Sequence, residues 1–345
     1  MAKQGFTTKT IPNLVDKGQS WALCVGSGIS FPIFPMWVDL ARKIVKRCVP
    51  DAYSSFDELS KKLSPEMLLQ ASTDMAKIDH NAFSKELATV LYENLFSGLS
   101  KDDEKLVKLC LSSDPGVDID WGHYLDIIQK KSSGKLTAYS LAKTILSLKE
   151  KNRAPASILS FNAEMLLGSL LNAIAHKEYH IEKKFFDYIV EPISYHECDR
   201  IPYYFCHGVM PIPGTRSLGY GKFNADDRLV FLENEYLQLA NMSFSWQSSA
   251  FINTLTNHTV FFVGLSFVDP NIRRWLAWIQ EEKLTVLRRI GGSVSSTSHY
   301  WIEKKPGSTI QMRMMESSVS HLGIRIIWID DWKDVSKALE KGIIL

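Results

Sequence analysis

The sequence predicts an α/β fold: a parallel sheet with helices on both faces and a helical module inserted after the first strand unit. Three observations predict it. Short apolar runs alternate with helix-spaced segments through most of the chain. The runs are apolar enough for strands covered on both faces, as parallel strands are. The stretch 51–149 is helix-spaced with little strand signal. We expect one domain over 1–345, with 51–149 as the insertion between the first strand unit and the rest of the sheet.

The elements follow in order. Trp21–Val25 reads as a strand ending in Gly26-Ser27-Gly28, and Trp37–Arg47 as a helix with Trp37, Leu40, Ala41, Ile44 and Val45 on its apolar side. Within 51–149, Phe83, Leu87, Val90, Leu91 and Leu95 share one helical face, as do Leu141, Ile145 and Leu148, while Ser113-Asp114-Pro115-Gly116 reads as a turn. Strands are then expected at Ala156–Phe161, Tyr203–Cys206, Leu229–Leu232, Thr259–Val263, His299–Glu303 and Ile324–Ile329. Helices are expected at Ala163–Ala175, Pro270–Lys283, before Gly323, and at Trp332–Lys341.

Composition narrows the class. The 345 residues are 45% hydrophobic and 23% charged, which suits a globular chain with a sizeable core. A formal charge of +2 with no sustained basic run gives no electrostatic footprint for nucleic acid. No apolar stretch reaches bilayer length and no signal-peptide apolar region follows Met1, so a cytoplasmic protein away from membranes is expected. Five cysteines without C-x-x-C spacing argue against a disulfide framework and against a four-cysteine zinc site.

In parallel sheets ligands bind beyond the carboxyl ends of the strands, so chemistry is sought in the turns there. Val25-Gly26-Ser27-Gly28-Ile29-Ser30 offers glycines that let backbone amides approach a phosphate, although Phe31 replaces a third glycine and a plain tight turn would serve as well. Ser160-Phe161-Asn162-Ala163-Glu164 ends a strand with two polar side chains, which capping of the next helix would also explain. Phe205-Cys206-His207-Gly208 places an imidazole suited to acid–base work at a strand end. Gly264, Ser266, Asp269 and Pro270 form a last turn and a helix start.

The order of these turns resembles the sirtuin-like NAD-binding family. Gly264–Arg274 is similar to the G-x-S-x-x-D-x-x-I-R run of its bacterial, defence-associated branch, as are Tyr300-Trp301 and the Leu322-Gly323-Ile324 ending. The resemblance implies a Rossmann-like sheet and NAD as substrate. It carries Gly26, Ser27 and Gly28 to the phosphate turn, Asn162 to the ribose, His207 to the base, and Gly264 and Ser266 to the adenosine side. Ser30, Glu164 and Asp269 join the expected cofactor-binding set. Two departures stand out: Glu164 replaces the family's aspartate, and no cysteine lies between His207 and Gly264, where deacylases carry a zinc ribbon. An acyl-lysine deacylase is therefore not expected.

Without that acceptor, water is the natural nucleophile, and Asn162 and His207 are expected to catalyse hydrolysis of NAD to ADP-ribose and nicotinamide. The resemblance further implies a latent antiviral effector that depletes NAD when triggered. It would be controlled by homo-oligomerisation or by a partner protein such as a motor ATPase, with 51–149 a candidate contact. A non-catalytic NAD or ADP-ribose module and an ADP-ribosyltransferase are the alternatives. No metal is expected: His176 and His180 lie four apart without a third ligand, and His196 and Cys198 near Cys206 are no stronger. Trp275, Trp278 and Trp328 read as core, and Arg273-Arg274 and Arg288-Arg289 as solvated surface or partner contact.

Overall fold

A computed structural model describes residues 4–112, 117–192, 196–215, 219–220, 223–224, 229–242, 245–291 and 297–344. The turn expected at 113–116 lies outside them. The strands are β1 (Phe6–Thr7), β2 (Trp21–Val25), β3 (Ile158–Ser160), β4 (Phe186–Ile189), β5 (Ile201–Phe205), β6 (Gly219–Tyr220), β7 (Phe223–Asn224), β8 (Thr259–Val263), β9 (His299–Lys304) and β10 (Ile324–Ile329). Helix α1 (Trp37–Cys48) follows β2. Then come α2 (Phe56–Leu59), α3 (Pro65–Ala76), α4 (His80–Phe96), α5 (Lys101–Ser112), α6 (Trp121–Ser132) and α7 (Thr137–Glu150). The remainder are α8 (Leu166–Tyr179), α9 (Glu233–Asn241), α10 (Trp246–Asn257), α11 (Pro270–Arg289), α12 (Thr309–Ser320) and α13 (Val335–Ile344).

Eight strands form one all-parallel sheet in the order β1-β10-β9-β8-β2-β3-β5-β4, with β6 and β7 a separate antiparallel pair. This is a Rossmann-like α/β fold. Its strands are apolar on both sides because both faces are covered. Along β2, Trp21, Leu23 and Val25 face one core, and Ala22 and Cys24 face the other. Phe261 and Val263 on β8 divide from Val260 and Phe262 in the same way. Residues of α1 and α3–α8 fill the first core together with α13, and those of α9–α12 the second. Helix α8 is buried on every side from Leu166 to Ala175, so its all-round apolar sequence is a consequence of its place between sheet and outer helices.

Three expectations need correction. Leu229–Leu232 is no strand; it is a buried segment laid across the crevice, with the Val230 N–H donating to the His207 carbonyl at 3.2 Å. The helix expected from Ala163 begins at Leu166, because Asn162 and Glu164 use the intervening turn for other bonds. Helix α11 runs on to Arg289. No helix among the described residues is long and apolar enough to cross a membrane.

The register positions the site. Val25 pairs with Ser160 on one side and Val263 on the other, and Ser160 pairs with Phe205. The carboxyl ends of β2, β3, β5 and β8 therefore stand level, and the turns after them converge. The chain leaves β2 for β3 in one direction and later returns to β8 in the other, so the crevice opens where the winding reverses.

Candidate active site

A cavity of about 690 Å³ lies at this reversal, and Gly26, Ser27, Gly28, Ser30, Asn162, Glu164, His207, Gly264, Ser266 and Asp269 all line it. That volume falls within the range of small-molecule and cofactor sites. Residues that lie as far apart as Gly26 and Asp269 in sequence thus share one space.

Asn162 and Glu164 form a buried polar knot. The Asn162 Nδ2 donates to Glu164 Oε1 at 2.9 Å and to Ser30 Oγ at 3.4 Å, and the Ser30 hydroxyl donates to the same Oε1 at 2.6 Å. The other carboxylate oxygen accepts the Leu166 N–H at 2.6 Å. Burial raises the Glu164 carboxyl above its usual range, while the Ser30, Leu166 and Asn162 donors pull it back. Asn162 caps no helix, and its amide has a fixed sense: nitrogen toward the carboxylate, with Oδ1 buried and without a partner. Ser30, expected among the cofactor contacts, spends its hydroxyl on Glu164.

His207 is held differently. It is 6% exposed, edge-on to Phe161 with ring centroids at 4.9 Å and to Tyr236 at 5.4 Å. Its Nε2 is buried without a hydrogen bond, and Asp269 Oδ2 stands 3.6 Å away. Burial pushes the imidazole down to about 3, so it is uncharged at neutral pH. Asp269 Oδ1 accepts the N–H groups of Asn271 and Ile272 at 2.8 and 3.3 Å, capping α11. Burial pushes its carboxyl up to about 6 against the pull of those two amides.

The glycines play a part other than the one expected. The Gly26 N–H donates to the Val263 carbonyl and the Gly28 N–H to the Gly264 carbonyl, each at 3.1 Å, so neither amide is left for a phosphate. A Cβ on Gly26 would sit 2.6 Å from the Gly264 carbonyl oxygen, and one on Gly264 (φ +70) would sit 2.7 Å from the Ile29 nitrogen. Glycine is needed here because two turns lie backbone to backbone. Among the described residues lining the cavity, Ser27 and Ser266 carry no hydrogen bond on their side chains and remain available to a ligand.

Further lining residues went unanticipated. Ser64, Pro65 and Glu66 at the start of α3 and Leu91 of α4 reach the cavity, so helices between β2 and β3 help build it. Phe231 and Tyr236 close one side. Glu303, at the end of β9, lines the cavity with its carboxyl pushed up to about 7 by burial; a carboxylate at a strand end is a group that accepts ribose hydroxyls. Its only signal in the sequence was an acid closing an apolar strand.

The weaker candidates dissolve. Helix α8 ends at Tyr179 and His180 takes a left-handed conformation (φ 53), so His176 and His180 share no helical face. Trp275 and Trp328 are buried, but Trp278 is 48% exposed with the Arg274 guanidinium 5.2 Å over its ring. Arg273 is half-buried: it donates to the carbonyls of Phe267 and Ser318 and ties α11 to the end of α12. Among the described residues no cluster of three His, Cys, Asp or Glu could hold a metal.

A family model described as a SIR2-like domain matches residues 171–327, just under half of the chain. The chain is sirtuin-like over that stretch, which contains His207, Gly264, Ser266, Asp269 and Glu303. Such domains bind NAD and are typically NAD-dependent enzymes. No curated protein matches the chain.

Proposed function

We propose, from the SIR2-like stretch and the cavity it helps to line, that this protein hydrolyses NAD to ADP-ribose and nicotinamide. One observation carries the reading: a buried amide oxygen with nothing to accept, on Asn162, shares a cavity with the uncharged imidazole of His207. Glu164 holds the Asn162 nitrogen away, so Oδ1 is left to accept from a ribose hydroxyl or from water.

The bond that breaks joins the ribose C1′ to the pyridinium nitrogen. Nicotinamide departs with the electron pair as a neutral molecule, positive charge grows on the ribose, and the oxygen of water bonds to C1′. The proton that water loses passes to His207 and then to solvent. Ser27 and Ser266 suit the pyrophosphate and Glu303 the adenosine ribose. The apolar walls, including Phe231 and Leu91, lower the local dielectric and strengthen the polar contacts beside them. We further infer, on the resemblance to the defence-associated branch, that the activity is latent and depletes NAD on infection. Self-association or a partner protein such as a motor ATPase would control it.

Turnover of a fluorogenic etheno-NAD by purified protein, alone and with candidate partners, tests this directly. His207→Ala should lower turnover by about two to four orders of magnitude. NAD that protects the protein from thermal unfolding yet emerges uncut would leave a binding module, and label retained on protein would mark a transferase.

A further inference from the structure

Asp269 has one oxygen more than its structural task requires. Capping α11 uses Oδ1 alone, and Ser, Thr or Asn would do it as well. The spare Oδ2 faces the buried Nε2 of His207 at 3.6 Å, and that nitrogen has no other partner. Phe161 and Tyr236 fix the imidazole from two sides, so Nε2 has little freedom to turn elsewhere. The groups bearing on this carboxylate are Glu66 from α3, Tyr236 from α9, and Arg274 from its own helix.

We propose that Asp269 is a positioning residue for His207: its second carboxylate oxygen holds the proton on Nε2, leaving Nδ1 as the base, and stabilises the imidazolium that forms. The proposal rests on the hydrolase reading above. When water attacks C1′, its proton goes to Nδ1, the Nε2 proton stays in place hydrogen-bonded to Oδ2, and the electron pair of the broken bond leaves with nicotinamide. The carboxylate is what makes this histidine serviceable. Buried alone, the imidazole is too weak a base at neutral pH to take a proton readily, and a negative oxygen closing from 3.6 Å to hydrogen-bond distance offsets that burial. The same division of labour between two ring nitrogens operates in serine hydrolases, where the carboxylate sets the tautomer.

The test compares D269N with His207→Ala in the full-length protein. D269N keeps an oxygen for the α11 cap, so its thermal midpoint should stay close to the parent, but its amide would donate to Nε2 and move the ring proton to Nδ1. Turnover of etheno-NAD should fall at least a hundredfold with little change in KM, and the acid limb of the kcat/KM profile should move. Histidine-labelled protein gives a readout independent of turnover: nitrogen-15 shifts of His207, identified by its loss in His207→Gln, should show the Nε2-protonated tautomer in the parent and the other in D269N. An unchanged tautomer, or D269N turning over at the parental rate while His207→Ala is inert, overturns the role of Asp269 alone. Parental turnover by His207→Ala overturns the hydrolase base beneath it.

Discussion

The two sides of the crevice are built on opposite plans. On one, Asn162, Glu164 and Ser30 lock one another with directional hydrogen bonds that end on the backbone of Leu166. On the other, the His207 ring is gripped by aromatic edges and faces an acid it does not touch. A polar knot has low tolerance for a missing atom, because every atom removed orphans a buried partner. A packed imidazole tolerates changes of partner but answers to protons. The amide side should therefore reveal itself through stability, and the imidazole side through pH.

The largest effect on stability should come from Glu164→Ala. It leaves the Ser30 hydroxyl and the Leu166 N–H buried without an acceptor, reduces the Asn162 amide to its long bond to Ser30, and opens a void besides. About 4 kcal/mol should be lost in chemical denaturation. Glu164→Gln keeps the shape and one acceptor oxygen and should cost about 1–2 kcal/mol. A parental midpoint for Glu164→Ala would mean that the knot holds nothing, and the contrast between the two sides would fail.

The sequence made some of this visible and hid the rest for physical reasons. Strands β2, β8 and β10 were legible to the residue because burial on both faces makes an unbroken apolar run. Edge strands β1 and β4 were not: one has two residues, and the other carries Asp187 and Tyr188 among its four. Leu229–Leu232 misled because four apolar residues read alike whether they enter a sheet or cover a cleft. At the site, residues in strand-end turns stood out, since glycine and lone polar groups after apolar runs are conspicuous. Tyr236, Glu66 and Leu91 gave no such signal, because each sits at an ordinary helical position and only the tertiary fold brings it to the cavity. Nor could the glycines reveal that each faces another backbone rather than a phosphate; both demands select the same residue.

The shared floor of the two sides sharpens the contrast at the next scale of energy. Gly264→Ala forces a left-handed residue to carry a side chain and drives its Cβ to 2.7 Å from the Ile29 nitrogen and 3.0 Å from the Gly26 oxygen. Gly98 has nearly the same backbone angle, φ +69, with nothing within 4 Å of its Cβ. Gly98→Ala should cost about 1 kcal/mol, the conformational term alone, and Gly264→Ala about 3 kcal/mol. Equal losses in thermal denaturation would show that the glycine turns have room to separate.

The imidazole side should show itself in a smaller, pH-gated term. Burial lowers His207 to about 3 in the folded protein against about 6.5 when unfolded, so its contribution is fully present above the unfolded value. It is lost as pH falls from there toward 3, because only the unfolded chain gains the proton. Between pH 6.5 and 5 the loss should reach about 2 kcal/mol. Asp269 works with the opposite sign: raised to about 6, it takes up its proton in the folded state first, and its contribution fades as pH climbs through that value. Both terms act in the parent, as does that of His299, lowered to about 3 in its own buried place. His207→Gln also takes the imidazole away from Asp269 Oδ2, so the comparison is made where that carboxylate is absent. The difference in unfolding free energy between a D269N parent and its His207→Gln variant, followed from pH 7 to 5, isolates the imidazole. It should slope toward the variant in acid. A flat difference would mean that His207 meets solvent and is no more confined than an exposed histidine, and the two halves of the crevice would then differ only in which atoms bind them.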